Sequence, residues 1–288
     1  MKDLAFALKK LCQQNPQGSF NTRKARARHL ALIAQQLEEA GYTLKQARSL
    51  KPKHIEALIA RWHAEELAIG TIKNRLAHIR WWAQAVNKAS IVQDNEAYGI
   101  SQRVAGEHSK AKALDTAKLE AIPSEHVVLS LRLQAAFGLR REEAIKFIPD
   151  RADHGDHIIL HPTWTKGGKK RRIPILKEEQ REVLDRAKKF AQGKSMIPEG
   201  QSYIKHLKTY ENQTLKAGLN NNHGLRHHYA QTRYGELTGW PCPHQGGKLA
   251  KDMTREEWEV DHQARLTLSE ELGHGRKSIM RHYLGGAR

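Results

Sequence analysis

Cysteine is almost missing from this chain. Cys12 and Cys242 are the two in 288 residues. That excludes a disulfide framework and a four-thiolate zinc site, and it suits a reducing cytosol. Long apolar runs are missing too. No stretch approaches the roughly eighteen residues of a membrane span. The opening MKDLAFALKK lacks a long apolar region and a small-residue cleavage site, so no signal peptide is expected. There is no internal repeat and no low-complexity tract. Acid is in short supply. Lysine plus arginine is 49 against 31 for aspartate plus glutamate, giving a formal charge of +18 and a pI near 9.9. Hydrophobic residues still make up 39%, too many for a disordered basic tail and enough for a core. A folded chain this basic is expected to meet a polyanion, and nucleic acid is the commonest.

Strand signals are absent from the first hundred residues. Leu4, Leu8 and Leu11 recur at helical spacing, as do Leu30, Ile33 and Leu37 before Gly41. Pro52 suits a first helical turn, with Ile55, Leu58, Ile59 and Trp62 on one face. Gly70-Thr71 opens a fourth helix carrying Ile72, Leu76, Ile79 and Trp82. The pattern predicts a helical bundle over 1–100. Residues 101–113, SQRVAGEHSKAKA, are polar, small and basic, and read as a linker or as an exposed loop. Periodicity resumes at Leu114, with Asp115 as a helix cap. HVVLSLRLQAAFGLRREEAIKF reads as two helices meeting at Gly138. HIIL and TWTKGGKKRRIPIL alternate like strands around a Gly167-Gly168 turn, with Pro174 limiting the second. Helices then run from about Glu178 to the C-terminus. Residues 114–288 form the second expected domain.

Four segments carry chemistry: GLRREEA with Arg140, TKGGKKRRIPI with Lys166, HGLRHHY with His223 and Arg226, and LGHGRKSIMRHYL with His274 and Tyr283. Singly each is weak, since an exposed arginine or lysine is usually just solvated. Together they suit cleavage of a phosphodiester. A tyrosine hydroxyl can attack phosphorus if it loses its proton. Two guanidiniums, Arg140 and Arg226, can hold the charged non-bridging oxygens. Lys166 can protonate the departing sugar oxygen. His223 and His274 can act as acid, base or donor. His223 and Arg226 are three apart, so one helical turn presents both. His274 and Tyr283 are nine apart, enough for a turn and a short helix. Glu143 can orient Arg140 by a charge-assisted bond, or be an ordinary solvated carboxylate.

The order of these boxes resembles the tyrosine recombinase (phage integrase) family. GLRREEA looks like its first arginine box, TKGGKKRRIPI like its lysine hairpin, HGLRHHY like its second arginine box and LGHGRKSIMRHYL like its nucleophile box. The resemblance implies a mainly α fold with a small antiparallel β-sheet: an N-terminal, SAM-like core-binding bundle and a C-terminal α+β catalytic domain that close around duplex DNA. It implies that Tyr283 forms a 3′-phosphotyrosyl link, releasing a 5′-hydroxyl, with no metal, ATP or other cofactor. It also implies a tetramer on two recombination sites, possible accessory DNA-bending proteins, and a place on the bacterial nucleoid in the cytoplasm.

Two features depart from the family. Arg226 and His274 are 48 residues apart, longer than usual, with the excess expected as an insertion over 239–263. Cys242, His244 and His262 in it match no zinc spacing, so no metal site is expected; an inert loop is the first expectation and a partner or DNA contact the second. Five residues follow Tyr283, which puts assembly by tail exchange in doubt. Expected phosphate contacts are Arg23, Lys24, Arg26 and Arg28, then Lys73, Arg75 and Arg80, then Lys169, Lys170, Arg171 and Arg172. Two other functions fit the same fold: a non-catalytic, sequence-specific DNA-binding or architectural protein, and type IB topoisomerase-like relaxation.

Overall fold

A computed structural model describes residues 3–102, 106 and 108–286. The chain divides into two units, Met1–Val104 and Ala105–Arg288. Part of the expected linker, 103–105 and 107, lies outside the described residues.

Four helices build the first unit: α1 (Asp3–Gln14), α2 (Phe20–Glu39), α3 (Pro52–Ala64) and α4 (Ile69–Ala85). Ser19 starts α2 by accepting the Thr22 amide at 3.2 Å, and Pro52 starts α3 with its preset φ. The apolar stripes meet in one core that includes Leu30, Ile33, Leu37, Leu58 and Leu76. Its two buried tryptophans keep their polar edge satisfied: Trp62 Nε1 donates to Gln36 Oε1 at 2.9 Å and Trp82 Nε1 to Ala47 O at 2.8 Å.

Several arginines expected on phosphate are tied inward instead. Arg26 is buried over the Trp81 ring, 4.1 Å from its centroid, and donates to Gln17 O. Arg75 is half-buried over Trp62, and Arg80 donates to Gln93 O and Asn95 Oδ1. Wide amphipathic helices draw arginine stems over apolar surface, so the charge count overstates what is free. Arg23, Lys24 and Arg28 remain exposed, and Lys73 is half-exposed.

The second unit begins with α5 (Thr116–Glu120), capped by Asp115, and α6 (Glu125–Phe137). Gly138 ends α6 in a left-handed conformation, φ +60°, as the sequence pattern requires. A Cβ there would fall 2.6 Å from the Tyr229 ring, so only glycine fits. Then come α7 (Arg141–Lys146), α8 (Pro149–Ala152), β1 (His157–Leu160), β2 (Arg171–Pro174), α9 (Glu178–Ala191), α10 (Tyr203–Lys216), α11 (His223–Thr238), α12 (Arg255–Glu271) and α13 (Met280–Leu284). The two strands pair antiparallel, His157 opposite Pro174 and Leu160 opposite Arg171. The second strand is shorter than the alternation predicts. Pro162–Trp164 is a 3₁₀ turn, and Gly167 and Gly168 both take positive φ, so pairing starts only at Arg171.

Helix α6 packs against α7, α9 and α11, and α11 packs against α12 and α13. Leu133, Phe137, Leu160, Ile173, Leu184, Tyr234 and Leu268 share that core. Residues 255–263 of the expected insertion are the first half of α12, capped by Thr254, whose Ala264 and Leu268 are buried. The loop proper is therefore shorter than the composition suggests, and its His244 bonds backbone carbonyls around it. Among the described residues, no helix is long and apolar enough to cross a membrane.

Candidate active site

Arg226 is the centre of the site. It sits in the first turn of α11, fully buried, with every guanidinium nitrogen engaged. Nη1 donates to Gly138 O at 2.6 Å, which fixes the α6–α7 turn. Nη2 donates to Leu272 O at the end of α12 and meets His274 Nε2 at 3.2 Å. Nε donates to Tyr283 Oη at 3.2 Å. Burial lowers the Arg226 pKa to about 10, still charged at neutral pH.

Tyr283 comes from α13, and its side chain is nearly covered. Its Oη is 3.1 Å from His274 Nε2. Because Arg226 donates to that same nitrogen, Nε2 is the acceptor, and the phenol O–H points at it. His274 is held by its backbone, its N–H donating to Ser269 O and its carbonyl accepting from Ser269 Oγ. His227, one turn along α11, packs its ring on the phenol, 4.4 Å between centroids. His223 starts α11, exposed, its ring 6.2 Å from that of Tyr283.

Arg140 stands just before α7. Its Nη1 donates to Glu143 Oε1 at 2.8 Å, and its backbone N–H donates to Glu143 Oε2 at 2.6 Å. Glu143 is buried and also grips Arg171, at 2.8 and 2.6 Å. The Arg171 guanidinium is thus turned inward onto Glu143. On β2 it shares the inward face with Ile173, and it serves as the far side of a buried Arg140–Glu143–Arg171 bridge. Burial pushes the Glu143 carboxyl up, but the bonds and charges of Arg171, with Arg140 and Arg226, outweigh it and hold it at about 2. Glu143→Gln leaves two guanidiniums against no carboxylate. It is expected to destabilise the protein by about 3 to 5 kcal/mol, read as a fall in the urea midpoint at constant slope. An unchanged midpoint would contradict the bridge.

Lys166 is not joined to this group by any bond among the described residues. It lies exposed at the hairpin tip, where Thr165 Oγ1 donates to Lys169 O. The Lys169 ammonium lies beside Gly275, next to His274. Lys170 is exposed, and Arg172 pairs with Asp156. Thus five of the six expected positions lie together around Arg226, with Arg226 and Tyr283 buried and His223 at the surface, and the lysine stays on its hairpin. Among the described residues, no group of three or more histidine, cysteine or acidic side chains could hold a metal ion. His244, weighed as a ligand from sequence, binds two backbone carbonyls instead, those of Tyr283 and Gly106. No sequence signal pointed to these partners.

Three guanidiniums face one carboxylate here, so the site is short of negative charge. His274 registers that. Burial first, then Arg226, Arg140 and Arg171, lower its pKa to about 3. Burial likewise lowers His78, His206 and His227 to about 4. In an unfolded chain a histidine titrates near 6.5. The unfolded state then binds more protons as pH falls from about 6.5 toward 4, while these rings stay neutral in the fold. Their stabilisation is complete above about 6.5 and is lost on acidification through that window. The urea midpoint is expected to be clearly lower at pH 5 than at pH 7.5. Equal midpoints would contradict buried neutral rings.

Residues 1–92 match the family model of the phage integrase N-terminal domain, and residues 97–232 match that of integrase. The chain belongs to the tyrosine recombinase (phage integrase) family. The second match ends within α11, so what ties His274 and Tyr283 of this integrase to Arg226 is the geometry above. No curated protein matches the sequence. Solved structures match in fold. The Tn1549 transposon integrase in complex with circular intermediate DNA aligns with 100% of this chain and 97% of its own, at a TM-score of 0.59 and 13% identity. A lambda integrase dimer bound to a COC′ core site aligns over 97% and 76%, at 0.62 and 13%. The XerH site-specific recombinase in a post-cleavage complex with palindromic difH aligns over 99% and 82%, at 0.59 and 16%. At such identities the likeness is one of fold.

Proposed function

We propose that this integrase is a site-specific recombinase that cuts and rejoins duplex DNA through Tyr283. The observation that carries the reading is the contact of one buried guanidinium with both the phenol and the imidazole, at 3.2 Å each. A phosphodiester entering beside Arg140 and Arg226 supplies the negative charge the site lacks. It also offsets the guanidinium charges that, after burial, lower the His274 pKa. Tyr283 Oη then attacks phosphorus while its proton passes to His274 Nε2. The bond from phosphorus to the 5′-oxygen breaks, and Lys166, on its hairpin, protonates that oxygen. Arg140 and Arg226 hold the two non-bridging oxygens as charge builds on them, and His223 reaches the same phosphate. The ester keeps the energy of the broken bond, so a 5′-hydroxyl from a partner strand can reverse the attack without ATP or metal.

The partner is double-stranded DNA, with a tetramer on two sites as the working assembly and accessory DNA-bending proteins as possible helpers. A lambda integrase tetramer bound to a Holliday junction shares this fold, at a TM-score of 0.58 and 13% identity, which supports that assembly. The setting is a mobile element acting on DNA in the cytoplasm. Exposed Arg23, Lys24 and Arg28, with Lys73, Lys169 and Lys170, are the proposed phosphate contacts.

The test is covalent capture in EDTA on a library of nicked duplexes, in which the cut end diffuses away. Attachment with a free 5′-hydroxyl is the expected result. Tight binding with no attachment to any duplex would overturn the reading. Lys166→Ala is expected to slow attachment by roughly 100-fold or more on ordinary DNA. With sulfur replacing the departing 5′-oxygen, which needs no proton to leave, most of that loss should vanish. An equal loss on both substrates would remove Lys166 as the acid.

A further inference from the structure

The loop between α11 and α12 carries groups that this chemistry does not use, and they converge on the helix that holds Tyr283. Residues 241–247 fold tightly on themselves. Gln245 N–H and Gly247 N–H both donate to Cys242 O, at 2.8 and 3.0 Å. A Cβ on Gly247 would fall 1.8 Å from Pro241 O, so the loop closes only around glycine. His244 stands in this loop with both ring nitrogens engaged. Nδ1 is 3.0 Å from Tyr283 O, and Nε2 is 2.9 Å from Gly106 O. A carbonyl can only accept. Each of these bonds therefore takes an N–H from His244.

The same carbonyl is also held from α11. Gln231 Nε2 donates to Tyr283 O and to Ser109 Oγ, both at 2.9 Å. Gly106, at φ +76°, lies against the helix backbone, and a Cβ there would fall 2.2 Å from Arg281 O. Helix α13 has five residues. So short a helix has no stability of its own, and the aim of its phenol depends on what grips it from outside.

We propose that His244 is a positioning residue for Tyr283: residues 241–247 form a clasp that holds α13 between Gly106 and α11. This rests on Tyr283 being the nucleophile. A nucleophile misplaced by about 1 Å can lose roughly 100-fold in rate. The clasp therefore acts on the chemical step and not on DNA affinity.

The experiment uses the full chain, with two readouts. In free protein, His244→Leu should speed hydrogen exchange of the α13 amides. On captured duplexes, it should slow attachment by roughly 100-fold with DNA affinity unchanged. His244→Gln should recover most of both effects, because its amide carries two N–H groups, as that of Gln231 does. Gly106→Ala, which displaces the opposite grip, should reproduce the loss. Unchanged α13 exchange in His244→Leu would overturn the proposal, as would a loss confined to DNA affinity or a His244→Gln as slow as His244→Leu. If wild-type protein attaches to no DNA, the recombinase reading fails, while the exchange experiment still decides the clasp.

Discussion

Tyr283→Phe is expected to abolish covalent attachment to DNA while leaving binding and fold in place. Phenylalanine keeps the ring that packs on His227 and removes only the oxygen that meets Arg226 and His274. Arg226 keeps its bonds to Gly138 O and Leu272 O, so its charge stays held. The expected stability cost is about 1 to 3 kcal/mol, for two lost hydrogen bonds and an Arg226 Nε–H left without an acceptor. Attachment should fall below detection, because none of the other grouped side chains can form the ester at that position. Gel shift and urea denaturation check the two conserved properties, and denaturing electrophoresis checks the lost one. Attachment that persists in Tyr283→Phe would remove Tyr283 as the nucleophile.

Arg226→Lys has the next largest effect. Lysine keeps the charge but cannot reach a phenol, an imidazole and two carbonyls from one atom. Loss of a preorganised donor at the charged transition state is expected to cost about 100- to 1,000-fold in the rate of attachment. A second cost falls on the fold. Gly138 O and Leu272 O sit beside a fully buried side chain, and each carbonyl left without a donor costs about 1 to 3 kcal/mol. Rate and urea midpoint should therefore fall together. A normal midpoint with a lost rate would make Arg226 purely catalytic, against the geometry. A normal rate would remove it from the reaction.

Much of this was legible from residue order. The helical stripes gave the bundle, Gly138 gave the corner between α6 and α7, and the three-residue spacing put His223 and Arg226 on one turn. The nine-residue step from His274 to Tyr283 left room for a turn and a short helix, and that is what fills it. What the sequence did not show has physical causes. Arg171 looked like one more cation in a basic hairpin. Yet a strand that buries Ile173 must send Arg171, two residues away, to the same face, and Arg172 to the other. Counting charge concealed what period two makes plain. That Arg26 and Arg75 lie over tryptophan and Arg80 bonds a loop carbonyl was likewise out of reach, since such contacts depend on the third dimension. His244 was beyond reach because its partners are backbone carbonyls 39 and 138 residues away. No side-chain pattern encodes such a bond.

The most direct measurement is the identity of the residue that carries the DNA. Captured protein can be digested with nuclease and protease, and the nucleotide remnant located by mass spectrometry. The account predicts a single 3′-phosphonucleotide on the oxygen of Tyr283, with a free 5′-hydroxyl on the other cut end. A remnant on any other side chain, or a 5′-phosphate at the cut, would contradict it.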